Sequence, residues 1–242
     1  MDEQTMLAYS GGKDSTALLY LLHEKNMMPD SIVFSDTQCE FPEMYNYLDK
    51  VEKYFNIKII KVAPRYTWDE YFYMKFVRGN HVGIIHGFPR VSSGCSFKQY
   101  AKIYPIRDFE KNVDIVYIGL TFGEEKRMNK NKPKAKYPLI DWKYTDDMCL
   151  QLTKDIGLYN SLYDRFSRIG CMYCPKKKLY ELQNIMKFYP EEWKKIKQYE
   201  IDSPFGFRMD YTCKQLEELF KTKNIKRSKT TTIKLLQIDS YK

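Results

Sequence analysis

Ser10-Gly11-Gly12-Lys13-Asp14-Ser15 brings together residues that can cradle an anion. Two adjacent glycines let the backbone approach a ligand in conformations other residues resist. A helix starting just after them offers unpaired N–H groups and the positive end of a dipole. Lys13 adds a mobile positive charge and Ser10 and Ser15 add hydroxyls, so the guest this chemistry suits is a nucleotide phosphate or pyrophosphate. The common P-loop, with four residues between its first glycine and a Gly-Lys pair, is absent. A glycine-rich turn with no ligand is the plainer alternative. A second chemistry lies in Gly170-Cys171-Met172-Tyr173-Cys174-Pro175. The CxxC spacing lets both sulfurs turn toward one ion, as in zinc knuckles and iron–sulfur sites. A thioredoxin-like redox pair and unliganded structural thiols are the alternatives.

The flanks give these groups their setting. Thr5 to Ser10 reads as a buried first strand and Asp14 to about Lys25 as a helix with leucines at helical spacing. Ser31 to Ser35 is a second strand, with Asp36-Thr37-Gln38-Cys39-Glu40-Phe41-Pro42-Glu43 at its carboxyl end and a helix to Tyr54 beyond. Asp36 can position ribose, a pyrophosphate-bound metal or the glycine turn, or simply cap, as can Glu40. Ile57 to Val62 and Asp114 to Leu120 are further strands, and Thr67 caps a helix over Trp68 to Phe76. Arg78 to Arg90 is irregular and can fold over a ligand. Lys126 to Lys136 is basic and reads as a mobile loop, either solvated surface or a nucleic-acid contact. A Thr145-capped helix follows. Lys178 to Phe188, Pro190 to Glu200 and Thr212 to Lys223 are three more helices, and the tail after Lys223, including Ser228 to Thr232, is expected to be loosely ordered.

A length of 242 residues, 43% hydrophobic, suits one sizeable α/β domain with an appendage, divided at 1–175 and 176–242. No charged-then-apolar leader begins the sequence and no apolar run reaches the ~18 residues of a membrane span, which points to the cytosol. Forty basic against 31 acidic residues leave +9, a surplus that suits polyanionic ligands including nucleic acid, or ordinary solvation. In a reducing compartment the six cysteines are thiols or metal ligands rather than disulfides.

SGGKDS resembles the PP-loop of the N-type ATP pyrophosphatases, which cleave ATP between its α- and β-phosphates. Asp36 to Glu43 resembles DTGxEFPE, the second signature of the phosphoadenosine phosphosulfate (PAPS) reductase branch, with Gln38 where the family has glycine. The family's CxxxxKxxP is matched by Lys102 and Pro105, with Cys95 two residues further away. GxxxxExxR is matched by Gly119, Glu124 and Arg127, and PLxxW by Pro138, Leu139 and Trp142. The motifs span residues 10 to 175.

The resemblance implies a doubly wound parallel sheet with helices on both faces, an adenine nucleotide α-hydrolase-like fold, and a helical C-terminal annex. It implies a nucleotide across the strand ends, contacting Ala8, Tyr9, Ser10, Gly11, Gly12, Lys13, Asp14, Ser15, Ser35, Asp36, Gly119 and Glu124. Lys13, Arg127 and Asp36 are then the catalytic candidates, with a surface salt bridge as the alternative for Arg127, and Lys98 and Lys102 contact acceptor or phosphate. Cys95 joins Cys171 and Cys174 as metal ligands, the fourth being Cys149, Cys213, a histidine or an exogenous group. ATP (or APS or PAPS), Mg²⁺ and an iron–sulfur cluster or Zn²⁺ are the implied cofactors, and a nucleic acid or a sulfur-donor protein is an implied partner. Sulfonucleotide reductases attack with a cysteine on a C-terminal ECGLH-type tail, whereas no cysteine follows Cys213. The resemblance therefore points to an adenylyl transferase in sulfur transfer. A reductase recruiting Cys213 or Cys149 and a non-catalytic nucleotide- or nucleic-acid-binding module are the alternatives.

Overall fold

Five parallel strands form one sheet in the order β3-β2-β1-β4-β5. They are β1 (Thr5–Tyr9), β2 (Ser31–Ser35), β3 (Ile59–Val62), β4 (Ile115–Ile118) and β5 (Ala135–Lys136). The computed structural model describes residues 3–89, 94–129 and 131–227. Arg90, Ser92, Ser93 and the tail from Ser228, on which parts of the sequence expectations fall, lie outside them.

The period of two along β1 decides what covers each face. Leu7 and Tyr9 join the large apolar core, whereas Met6 and Ala8 join a smaller cluster with Val33 and Val116. Ile106 and Phe109 of α5 (Tyr104–Glu110) close that second face. On the first face lie α1 (Lys13–Glu24) and α2 (Pro42–Phe55), with α7 (Asp146–Asp155) against α1. Leu18, Leu19 and Leu22 of α1 are fully buried, each worth about 1.5–3 kcal/mol of hydrophobic transfer. The C-terminal helices α8 (Leu179–Phe188), α9 (Pro190–Asp202) and α10 (Cys213–Thr222) bury Leu182, Ile185, Trp193 and Leu216 in the same core. Threonine caps start three helices: Thr67 before α3 (Trp68–Tyr73), Thr145 before α7 and Thr212 before α10.

The sequence expectations differ from the fold at identifiable points. Ala135 and Lys136, expected in a loop, pair beside Val116 and Tyr117 as an edge strand. Backbone pairing at an edge needs no apolar side chains, and lysine is at home there. Ser96 to Glu110 is helical throughout: α4 (Ser96–Lys98), a π-helical turn (Gln99–Ile103) and α5, with the short α6 (Pro138–Asp141) later in the chain. Pro105 has no N–H to offer the Ala101 carbonyl, so the turn widens, and the Ser35 hydroxyl donates to Ala101 instead at 2.9 Å. That bond anchors the helix carrying Lys102 across the end of β2. No helix among the described residues is long and apolar enough to cross a membrane.

Candidate nucleotide and thiol site

Because the sheet is parallel, β1, β2 and β4 deliver their following loops to one edge. The chain winds outward to β2 and β3 from β1 and then to β4 and β5 on its other side, so the turn after β1 occupies the topological switch point where ligands bind in such sheets. Gly11 is left-handed, at φ +70°, and a β-carbon there would meet Met44 Sδ at 2.4 Å. Gly12 is the N-cap of α1. The Gly11 carbonyl accepts from Asn160 Nδ2 at 3.2 Å. Below the turn the Tyr9, Thr16 and Tyr47 hydroxyls form a buried chain, with spacings of 2.8 and 2.9 Å, that ends on the Leu158 carbonyl. The turn is thus held from beneath before any ligand arrives.

Protein hydroxyls meet the cradle from above. Gly12 N–H donates to Ser10 Oγ at 3.3 Å, and Lys13 N–H to the Tyr163 hydroxyl at 3.1 Å. A phosphate oxygen seated on Lys13 N–H therefore takes the place of Tyr163. The Lys13 ammonium bridges Asp14 and Asp146, at 2.6 Å from Asp14. Burial works against its charge, but the two carboxylates outweigh this and raise its pKa. Asp14 is raised by its burial, against the pull of Lys13. Glu124 accepts from Thr121 N–H and pairs with Arg127, contacts that lower its pKa against its desolvation. Arg127, 65% exposed in its side chain, is thereby engaged in the surface ion pair that was its alternative reading. Gly119 lies against the start of α1, where a β-carbon would press on Ser15 Cα and N at 3.1 Å.

The loop after β2 is tightly self-bonded. Asp36 Oδ1 accepts from Gln38 N–H at 2.9 Å and from the Tyr45 hydroxyl at 2.8 Å. Gln38 is left-handed at φ +58°, the conformation that explains the family's glycine at this position. Glu40 neither caps nor enters α2, whose N-cap is Phe41. Buried, it accepts from Thr37 Oγ1 at 2.9 Å and from Lys102 Nζ at 3.2 Å. Burial opposes the charge of Lys102, and Glu40 raises its pKa nonetheless.

Two cavities meet at Lys102. A cavity of about 190 Å³ along the strand ends is lined by Ala8, Tyr9, Ser10, Ser35, Lys102 and Lys132. A smaller one of about 60 Å³ is lined by Cys95, Cys171 and Cys174 together with Trp68, Lys98 and Lys102. The three cysteines predicted as ligands thus converge. Burial pushes the Cys95 and Cys174 thiols up, while a hydrogen bond from Cys39 pulls Cys171 down. Among the described residues no three His, Cys, Asp or Glu side chains stand drawn together tightly enough to hold a metal. The donor set nevertheless fits a thiophilic centre: three sulfurs face one cavity, and the buried Trp68 indole N–H beside it has no acceptor among the described residues. Cys149 and Cys213 do not complete it. Cys149 is buried near Asp14, its thiol pushed up to about 12 by that burial, and Cys213 sits at the start of α10 against Glu200.

The model of the phosphoadenosine phosphosulfate reductase domain matches residues 4–177. The chain belongs to that family. The adenosine 5′-phosphosulfate reductase of Geobacillus kaustophilus is 29% identical over 184 residues, covering 71% of this chain and 73% of that protein. Two uncharacterised proteins of Methanocaldococcus jannaschii are 29% and 25% identical over 78% and 84% of this chain. This chain spans only 40% and 48% of their lengths. Among solved structures, the PAPS reductase of Candida auris in its phosphate complex shares the fold, with a TM-score of 0.53 and 16% identity over 72% of this chain and 83% of that one.

Outside the family motifs, Tyr163, Asn160 and Lys177 join the site unannounced by sequence. Asn160 and Tyr163 come from a single 3₁₀ turn some 150 residues from the cradle they touch. Lys177, 5% exposed, stacks its ammonium over Phe41 and Phe166 and has its pKa lowered by burial. A polar residue before a short aromatic turn was the only signal, and it is too common to single out.

Proposed function

We propose that this PAPS reductase-family protein is an ATP-dependent adenylyl transferase, forming AMP and pyrophosphate, that works in sulfur transfer onto a nucleic acid or small acceptor. The observation that carries the reading is Lys102, which lines both the strand-end cavity beside the cradle and the cysteine cavity, so phosphate and sulfur chemistry share one wall.

The β- and γ-phosphates sit on Gly11, Gly12 and the start of α1, where backbone donors are fixed before the reaction and cost no reorganisation. Lys13 exchanges Asp14 and Asp146 for phosphate oxygens. The two carboxylates it releases, Asp14 and Asp146, would then be free to hold the Mg²⁺ that accompanies a triphosphate. Lys102, and Arg127 once freed from Glu124, offset charge growing at the α-phosphate. The acceptor oxygen forms a bond to the α-phosphorus, the bond to the bridging oxygen breaks, and pyrophosphate leaves. A sulfur nucleophile then displaces AMP from the acceptor. Cys95, Cys171 and Cys174 would hold a zinc ion or iron–sulfur cluster, which supplies thiolate-ligated redox or Lewis-acid chemistry on the acceptor side.

Incubation with α-labelled ATP and a panel of RNA, DNA and small acceptors tests this: labelled AMP or adenylylated acceptor with pyrophosphate is expected, and ADP with phosphate as sole products would overturn it. The 29%-identical reductase favours a second reading, reduction of a sulfonucleotide. Cys149 and Cys213 are poor nucleophiles for it, both buried with raised thiol pKa values. Sulfite release from APS or PAPS with a thiol donor would establish the reductase instead.

A further inference from the structure

The strand-end cavity beside the cradle has apolar walls from Ala8, Phe34, Ile103 and Ile106, which suit the flat faces of a nucleoside base. Among the described residues its cationic linings are Lys102 and Lys132. Both ammonium groups are already matched. Lys102 faces the buried Glu40 at 3.2 Å. Lys132 donates to both carboxylate oxygens of Glu110, at 2.9 and 3.0 Å, and the Glu110 side chain is only 13% exposed. Backbone bonds fix Lys132 at the entry to β5: its N–H donates to the Asn129 carbonyl at 3.1 Å and its carbonyl accepts from Ala135 N–H at 3.0 Å. Glu110, the last residue of α5, lines a second cavity of about 210 Å³ and not the first, whereas Lys132 lines both. A ligand at the strand ends therefore meets the lysine, with the carboxylate behind it. Lys134 offers no substitute, since it lines the second cavity alone and its ammonium donates to the Val113 and Glu110 carbonyls. The serine hydroxyls of the first cavity are also committed, Ser35 to the Ala101 carbonyl and Ser10 to Ser15.

Building on the proposed seat of a nucleotide across the strand ends, we propose that this cavity selects adenine nucleotides whose 3′-hydroxyl is free, ATP or APS rather than PAPS, and that Glu110 sets the choice by holding Lys132. Each cation of the cavity is balanced by a carboxylate, so no positive charge is in surplus. A phosphate on the 3′-oxygen brings about −1.5 to −2 charges. Its desolvation is uncompensated while Lys132 stays on Glu110, and drawing Lys132 away leaves Glu110 stranded. A free 3′-hydroxyl needs neither change. Lys132 thereby gives the basic run from Lys126 to Lys136 a part in nucleotide choice.

Calorimetric titrations of the full-length protein with adenosine 5′-monophosphate and with adenosine 3′,5′-bisphosphate test this, because the two probes differ only at the 3′-position and neither can release pyrophosphate. Wild type is expected to bind the bisphosphate no more tightly than the monophosphate. In Glu110→Gln the freed Lys132 is expected to shift that ratio toward the bisphosphate by about fivefold or more, and adding Lys132→Met to the same chain is expected to return it. Tighter binding of the bisphosphate by wild type, or an unchanged ratio in Glu110→Gln, would overturn the assignment. Should Glu110→Gln not fold, Lys132→Met alone still decides: a wild-type ratio supports the pairing, and a loss confined to the bisphosphate overturns it. Binding of neither probe would overturn the nucleotide seat and this selection together. Sulfite release from APS but not from PAPS would overturn adenylyl transfer while the selection stands.

Discussion

Replacing Glu40 by glutamine keeps its shape and its bond to Thr37 but removes the charge that faces Lys102. The carboxylate is 1% exposed and the Lys102 side chain 34%, with 3.2 Å between Oε1 and Nζ. Breaking a fully buried pair by removing one partner costs roughly 3–5 kcal/mol. Water reaching Lys102 screens part of that loss, so about 1–3 kcal/mol is expected here. For a chain of this size the loss corresponds to a melting temperature lower by about 3–10 °C. Denaturant titrations of Glu40→Gln, Lys102→Met and the double variant form the assay. A coupling energy of about 1–2 kcal/mol is expected, because removing both charges leaves neither group stranded. Single effects that add to within about 0.5 kcal/mol would refute the pairing, and with it the account of why Lys102 stands at the junction of the two cavities.

Gly11→Ala places a β-carbon at a left-handed residue and against Met44 Sδ at 2.4 Å, so a loss of at least about 1–2 kcal/mol in stability and a weaker ATP affinity by calorimetry are expected. Glu181 accepts from Ser167 N–H, Arg168 N–H and Lys178 N–H, and these bonds, outweighing its burial, hold its pKa below the usual carboxylate range. Its contribution is therefore present above its unfolded pKa of about 4.3 and is lost as pH falls through the lower folded value. Glu181→Gln should flatten the acid limb of the stability–pH curve measured by denaturant titration, and an unchanged limb would count against the assignment.

Much of the site was legible because its chemistry is local. SGGKDS carries its own turn and helix start, and the paired glycines announce a backbone conformation that the structure confirms at Gly11. Four of the five strands followed from short apolar runs of the right length, down to the bounds of β2. What sequence could not convey depends on partners far along the chain. Glu40 reads as a cap until Lys102, sixty-two positions later, is seen against it. Tyr163 and Asn160 reach the cradle only through the fold. The helix from Ser96 was hidden because Pro105 reads as a break, whereas the chain absorbs it in a wider turn held by Ser35. Cys39 lay inside a motif whose charged residues drew attention, yet its position beside Cys171 joins two loops 132 residues apart.

In the proposed function the turn after β1 grips a triphosphate and leaves its inner phosphorus open to attack. The most direct measurement compares ATP affinity and pyrophosphate release in wild type and Lys13→Ala. Loss of Lys13 is expected to weaken nucleotide binding and abolish pyrophosphate release. Unchanged affinity and unchanged pyrophosphate release in Lys13→Ala would contradict it.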